Sequence, residues 1–330
     1  MMVVRRACLS ALLFLAVSGL QLGAASTTAG AQPFPGKPVR IVVPFAAGTA
    51  PDLIARLLAE HLQPKWQQPI VIDNRLGASG NVAAEYVARS PADGYTLLAS
   101  PPPPLSINRF LFKSLPFKPS DLAIVTILAS APNVLVAKPT VPASNLAELI
   151  TFAKAAPGKL NYASTGKGGT PHLTMEWMMS SANLELVHVP YAKGLAPALN
   201  DLLGGHVDLM FANLSDAKPY VEAGKLKALA ITSADPINSL PGVPPISGVI
   251  PGLVVETWFA LAAPSGTPAP IVAKIASDVA SVLRSSAVAE RLQTLSLTSV
   301  GNSPKDASAF VEADAKRWQS VIEKIGLKPE

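Results

Sequence analysis

The chain has 330 residues, with 27 lysines and arginines against 22 acids for a formal charge of +5, and only 15% charged and 6% aromatic residues. Charges this sparse and scattered do not form the basic face of a nucleic-acid binder, while the length accommodates two ordinary domains. The single cysteine, Cys8, sits so close to the amino end that the rest of the chain has no thiol for a disulfide or a thiolate metal site.

Residues 1–31 read as a secretory signal peptide. Arg5 and Arg6 precede an apolar run from Ala7 to Leu22, and a small-residue stretch ends at Ala29-Gly30-Ala31. A membrane anchor needs about 20 consecutive apolar residues, and Ser10, Ser18, Gly19 and Gln21 interrupt a run that is already short. Cys8 is badly placed for lipid attachment. Cleavage near Ala31 removes two arginines and no acid, which lowers the formal charge from +5 to +3. A weak positive field helps an anionic ligand approach without identifying it.

From Lys37 onward the pattern alternates strand and helix. Pro38 to Pro44 reads as a buried strand, and Asp52 to Gln63 as a helix through Leu53, Ile54, Leu57, Leu58 and Leu62. Ile70 to Ile72 is a strand, Val82 to Val87 a helix and Tyr95 to Leu98 a strand. Pro101 to Pro104 reads as a stiff polyproline spacer. Beyond it, Ile124 to Ala129 and Val134 to Val136 are strands, Leu146 to Ala155 a helix and Lys159 to Ala163 a strand, with a second α/β lobe starting near Pro132. That lobe continues through a helix from Pro171 to Ser181, strand Leu186 to Val189, helix Ala196 to Leu203, and strands Val207 to Phe211 and Leu226 to Thr232. Strand Thr257 to Ala263 and amphipathic helices Ile271 to Arg284 and Asp306 to Ile325 close the chain. Alternation of this kind predicts an α/β fold with helix-covered, largely parallel sheets.

Three strand-to-helix loops carry the chemistry. Phe45 to Asp52 places Pro51 near the first helical position and Asp52 where it can cap amides, and a helix start of that kind presents free N–H groups to an anion. From spacing alone it serves equally as a capped structural turn. Asn74 to Asn81 repeats the geometry with Gly77, Ala78, Ser79 and Gly80, and loops from neighbouring strands converge beyond the carboxyl ends of an open parallel sheet. Ser164 to His172 combines hydroxyls, amides, Lys167 and His172. It is not a nucleotide P-loop, because Asn161 stands where the first glycine belongs and Gly168 follows Lys167. Tyr191 and Lys193 supply a hydroxyl and an ammonium nearby, or are solvated loop residues. Of the histidines, His61 and His206 read as surface or turn residues, His188 as a core residue, and His172 as the one in a plausible site. Ser164 or Ser79 with a histidine and Asp52 or Asp208 would be the raw material of a hydrolase. The chain has no Gly-x-Ser-x-Gly elbow, no His-Glu-x-x-His pair and no carboxylate pair flanking a substrate loop, so no catalytic residue, cofactor or metal is expected.

Taken in order, these stretches resemble the Bug receptors, the substrate-binding family of tripartite tricarboxylate transporters. The resemblance runs through Lys37-Pro-Val-Arg-Ile-Val-Val-Pro-Phe45, Asp73-Asn-Arg-Leu-Gly-Ala-Ser-Gly-Asn81, Pro91-Ala-Asp-Gly-Tyr-Thr-Leu-Leu98, Pro157 to Ser164, His188-Val-Pro-Tyr191, Ala196 to Gly205 and Gly224 to Ala230. It implies a two-lobed periplasmic binding protein with a mixed, mostly parallel sheet in each lobe. Lobe 1 would comprise residues 32–133 and 257–330, and lobe 2 residues 134–256, with crossings at Ala131 to Ala137 and Glu256 to Leu261. A small mono- or dicarboxylate, aliphatic or aromatic, would be held by Phe45, Ala47, Gly48, Thr49 and Asp52, by Gly77, Ala78 and Ser79, and by Ser164, Thr165, Gly166, Thr170 and His172. Tyr191 and Lys193 join that set, with Ser100 and Asn213 counted in it. Membrane permease subunits are the implied partners of an exported monomer; a ligand-sensing adaptor for a signalling receptor is the alternative. Two departures stand out. The family's usual Pro-Pro-Gly-Gly after Phe45 is Ala46-Ala47-Gly48-Thr49, and the segment from Tyr191 to Pro197 is one residue longer than the common pattern.

Overall fold

The computed structural model describes residues 34–166, 168–191 and 195–329. The expected signal peptide with its cleavage site, Lys167 and Lys193 lie outside the described residues. Pro35–Glu330 forms one compact unit.

The first three strands, β1 (Val39–Val43), β2 (Ile70–Asn74) and β3 (Thr96–Ser100), are parallel, with β1 in the middle. Val42 stands opposite both Asp73 and Leu98, so all three strands finish at the same edge of the sheet. The loops into helices α1 (Ala50–Trp66) and α2 (Asn81–Ala88) therefore emerge side by side. Ile41, Val42 and Val43 are buried, as the apolar run requires of a strand covered on both faces.

Beyond β3 the sheet turns antiparallel. Strand β4 (Leu122–Ala137) is 16 residues long, about 50 Å at the rise of an extended chain. Over Leu122 to Pro132 it pairs with β9 (Glu256–Pro264), shifting register after Ile124 and after Ile127, and with the two-residue β10 (Thr298–Ser299). From Asn133 it pairs instead with β7 (Leu209–Asn213) and β8 (Lys227–Ile231). Parallel strands β5 (Asn161–Ser164) and β6 (Val187–Pro190) extend that end beyond β7. The fold is α/β with a mixed sheet. The pattern breaks β4 in two at Pro132, which has no N–H to donate, but in the structure the strand runs straight through. A proline is tolerated there because the hydrogen-bonding partner changes at the next residue.

The change of partner is fixed by three buried polar side chains. Thr257 donates to Asn133 Oδ1 at 3.1 Å, Asn133 N–H donates to Thr232 Oγ1 at 2.8 Å, and the Thr232 hydroxyl donates to the Val255 carbonyl. Hydrogen bonds in so dry a setting fix register, because any slip strands a buried polar group at about 1–3 kcal/mol.

Four helices flank the second part: α3 (Leu146–Ala155), α4 (Thr170–Ala182), α5 (Leu195–Leu203) and α6 (Leu214–Glu222). Asn145 caps α3 by accepting the Glu148 N–H. Helix α6 carries Pro219 in its interior, which hides its helical pattern in the sequence. Helices α7 (Ala269–Leu283), α8 (Ser286–Thr294) and α9 (Pro304–Ile325) follow β9. Helix α9 belongs to two cores: Ala307 and Val311 pack with Val42 and Leu98, whereas Trp318, Val321 and Ile322 pack with Leu135 and Leu173.

One expectation is corrected. Pro101 to Pro104 is not an extended polyproline spacer. Pro102 has φ −51° and ψ −40°, and Pro103–Ile107 continues as a single wide helical turn with every residue buried. Proline's fixed φ near −65° fits a first helical turn as well as it fits polyproline II. Burial against the loops decides between them, since Pro104 lies directly behind Gly80.

Candidate functional site

A cavity of about 140 Å³ opens where the carboxyl ends of β1 and β2 face the start of α4 and the end of β7. Its first wall is built from two loops at the strand ends. Phe45, Thr49, Ala50 and Pro51 line it at the start of α1, and Leu76 to Gly80 line it between β2 and α2. The 17-residue α1 thus turns its N-terminal end, with its partial positive charge, to the cavity.

Asp52 builds that wall from behind rather than lining it. It is fully buried, accepts the Gly48 N–H at 2.9 Å and the Asn74 amide at 2.9 Å, and pairs with Arg56 through two bonds of 2.9 and 3.0 Å. Burial alone would raise its pKa, but the donors from Arg56, Gly48 and Asn74 outweigh it and hold the carboxyl below the usual carboxylate range. Asn74 also donates to the Phe45 carbonyl at 2.9 Å, so one carboxylate joins the first loop, the second loop and α1. Asp52 does not cap α1. Its N-cap is Thr49, whose hydroxyl instead donates to the Ala46 carbonyl at 2.6 Å.

The second loop is strained. Gly77, Ala78, Ser79 and Gly80 have φ of +135°, +46°, +52° and +91° in succession. Holding Ala78 and Ser79 in the left-handed region costs about 1–3 kcal/mol each, and such turns point successive N–H groups into a concavity that suits an anion. Gly80 is required on a second count, since a Cβ there would meet Pro104 at 3.1 Å and Pro44 at 3.2 Å. Buried Asn108, which the sequence reading missed, holds the loop by donating to the Ser79 carbonyl at 3.1 Å and to Asn81 Oδ1 at 2.7 Å.

The second wall is built from the start of α4, the end of β7 and the start of α6. Thr165, Gly169, Thr170 and Pro171 line it at the start of α4, and Met210, Ala212, Asn213 and Asp216 line it from β7 and α6. Ser164 and His172 stand behind it in a buried network. Ser164 Oγ and His188 Nε2 are 2.7 Å apart, the His188 ring stacks on Tyr162 at 4.7 Å and lies 4.5 Å from His172, and the Tyr162 hydroxyl donates to Glu176. Burial, with Glu176 adding to it, pushes the Tyr162 phenol far up. Gly168, adjoining this network, allows the loop to meet the neighbouring helical turn, because a Cβ on it would lie 2.7 Å from Leu111.

Of the expected contacts, the structure brings Phe45, Thr49, Gly77, Ala78, Ser79, Thr165, Thr170 and Asn213 to the cavity. It places Ala47, Gly48, Asp52, Ser100, Ser164, Gly166, His172 and Tyr191 elsewhere. Ser100 is buried and donates to the Pro101 carbonyl at 3.0 Å. Tyr191 donates to Asp201 of α5 at 2.5 Å; partial burial and that carboxylate push its phenol up to about 12. Lys193 lies outside the described residues. Asp216 was missed because Pro219 conceals α6. It is the one titratable side chain among the described residues lining the cavity. Burial pushes its carboxyl up to about 6 against the opposing effect of the Asn213 amide, which donates to it at 3.1 Å. Among the described residues, no group of three or more His, Cys, Asp or Glu is placed to hold a metal ion.

Comparisons with known proteins identify the family. The model of the tripartite tricarboxylate transporter family receptor, TctC, matches residues 54–327. Protein BugT of Bordetella pertussis is 35% identical over 319 residues, 95% of this chain and 98% of BugT. Rpa4515 of R. palustris, solved with adipate, superposes with a TM-score of 0.86 at 38% identity, over 90% of this chain and 100% of that one. MatC of Rhodopseudomonas palustris, solved with bound malate, superposes with a TM-score of 0.82 at 32% identity, over 88% of this chain and 100% of MatC. Fold and sequence together place the chain in the tripartite tricarboxylate transporter receptor family.

Proposed function

We propose that this protein is an exported solute receptor that captures a small carboxylate in the cavity between its two walls and passes it to the membrane subunits of a transporter. The observation that carries this reading is the first wall, where the start of α1 and the positive-φ loop Gly77 to Gly80 line the cavity together, with the Gly80 N–H spent on the Gly77 carbonyl and the helix start left to favour an anionic group. Proteins of this family solved with adipate and with malate support the ligand class. The two lobes, residues 32–133 with 257–330 and residues 134–256, would close about the partner change in β4, and a ligand touching both walls favours the closed state. Residues 1–31 would direct export to the periplasm and be removed there, and the receptor would act as a monomer without catalysis. Among the described residues no helix is long and apolar enough to cross a membrane.

A thermal-shift screen of residues 32–330 against carboxylates, nucleotides, sugars and amino acids tests this, because a ligand that binds only the folded state raises the melting temperature. Stabilisation by a carboxylate-bearing compound is expected. Stabilisation by sugars or nucleotides alone would remove the basis for an anion-binding first wall.

A further inference from the structure

The second wall carries a feature that a receptor for plain carboxylates does not need. Asp216 presents a carboxylate to the cavity from the first turn of α6. Its hydrogen-bond partner is Asn213, which uses its Nδ2 for that bond and leaves Oδ1 buried without a partner. Thr170, 1% exposed, lines the same cavity with its Oγ1 buried and equally without a partner. A buried polar atom left unpaired costs about 1–3 kcal/mol, so two such atoms in residues that line one cavity with a carboxylate mark a place that a ligand completes.

We propose that Asp216, with Asn213 and Thr170, is the specificity-determining end of the site and selects a carboxylate whose far end carries hydrogen-bond donors, an ammonium first and an amide second. The inference rests on the carboxylate reading above and assigns the opposite end of the same ligand. An ionised Asp216 only accepts hydrogen bonds, and so does Asn213 Oδ1. A second ligand carboxylate brought here meets like charge and offers no proton. The N-termini of α4 and α6 also face this wall, but a helix end supplies only partial charge, and Asp216 already occupies the one at α6. An ammonium has three protons to donate to such acceptors and pairs with Asp216, where charge-assisted bonds are strong.

Calorimetric titration at pH 7.5 with two matched series tests this. One series is butanoate, succinate, succinamate and 4-aminobutanoate; the other is hexanoate, adipate, adipamate and 6-aminohexanoate. In whichever series binds, the amino compound is expected to bind at least tenfold more tightly than the dicarboxylate, with the amide between them. Asp216→Asn, nearly the same shape, is expected to remove that preference, weakening the amino compound at least tenfold and strengthening the dicarboxylate. A dicarboxylate that matches or exceeds the amino compound in the wild type overturns the proposal without touching the carboxylate reading. So does an Asp216→Asn variant that shifts all members equally. Failure of both series, with stabilisation by uncharged compounds in the thermal screen, overturns the carboxylate reading itself and this inference with it.

Discussion

The two walls of the cavity are made in opposite ways. The first is made of two loops, one of them held at positive φ, with Asp52 and Asn108 behind it fixing the loops by their side chains. The second carries polar residues at helix starts, Thr170 and Asp216 in the first turns of α4 and α6 and Asn213 at the N-cap of α6. A backbone wall recognises charge and little else, because every residue has the same amide. A side-chain wall can differ from one relative to the next without disturbing the loops. The division assigns affinity for the shared carboxylate to the first wall and choice of ligand to the second.

The sharpest way to break this comparison is to fill the first wall. Thr49 lines the cavity at the start of α1, and Thr49→Arg should weaken binding of any stabilising carboxylate by more than about 100-fold, the scale of a lost anion subsite at about 3 kcal/mol. The folded protein should survive, with the far-ultraviolet circular dichroism spectrum unchanged, because Thr49 is only partly buried. Unchanged affinity would move the site away from α1.

A smaller effect is expected from loosening the wall without entering the cavity. Asn108→Ala leaves the Ser79 carbonyl and Asn81 without their donor, at about 1–3 kcal/mol in stability. Gly80→Ala adds the strain of φ +91° to contact with Pro104 and Pro44, with a cost in the same range. Chemical denaturation measures both costs. Both variants should also bind carboxylate about tenfold less tightly, and a variant that unfolds more easily yet binds as well as the wild type would show that the strained loop serves only folding.

An effect on stability alone belongs to the second wall in the absence of ligand. Asp216 titrates at about 6 in the folded protein, above its ordinary value of 3.8. The folded state therefore binds more protons than the unfolded state between those values, and stability falls as pH rises from about 4 to about 6, staying reduced above that. Asp216→Asn should be more stable than the wild type at pH 7.5 by up to about 3 kcal/mol, with the difference vanishing near pH 4. Denaturation curves at both pH values check it, and a difference that grows toward low pH has the wrong sign.

Much of the first wall was legible in the sequence because it depends on glycines, a proline and short polar residues at fixed positions between a strand and a helix. Phe45, Thr49, Gly77, Ala78 and Ser79 all reach the cavity. What spacing could not give is which side of a loop a polar residue faces. Asp52 and Ser164 have the right chemistry in the right loops, yet both are spent inward, on Arg56 and Asn74 in one case and toward His188 in the other. The second wall was harder to read. Helix α6 is interrupted by Pro219, so Asp216 had no visible helix to sit on, although Asn213 three residues earlier was found at the strand end. The proline run misled for a related reason: its φ suits two backbones, and burial of the turn behind Gly80 selects the helical one.

The most direct test is a crystal structure of the protein with the carboxylate that raises its melting temperature most. The account predicts the ligand carboxylate at about 2.7–3.2 Å from backbone N–H groups of the Gly77 to Gly80 loop and the start of α1, with its far end against Asp216. A carboxylate seated on the second wall, or outside the cavity altogether, would contradict it.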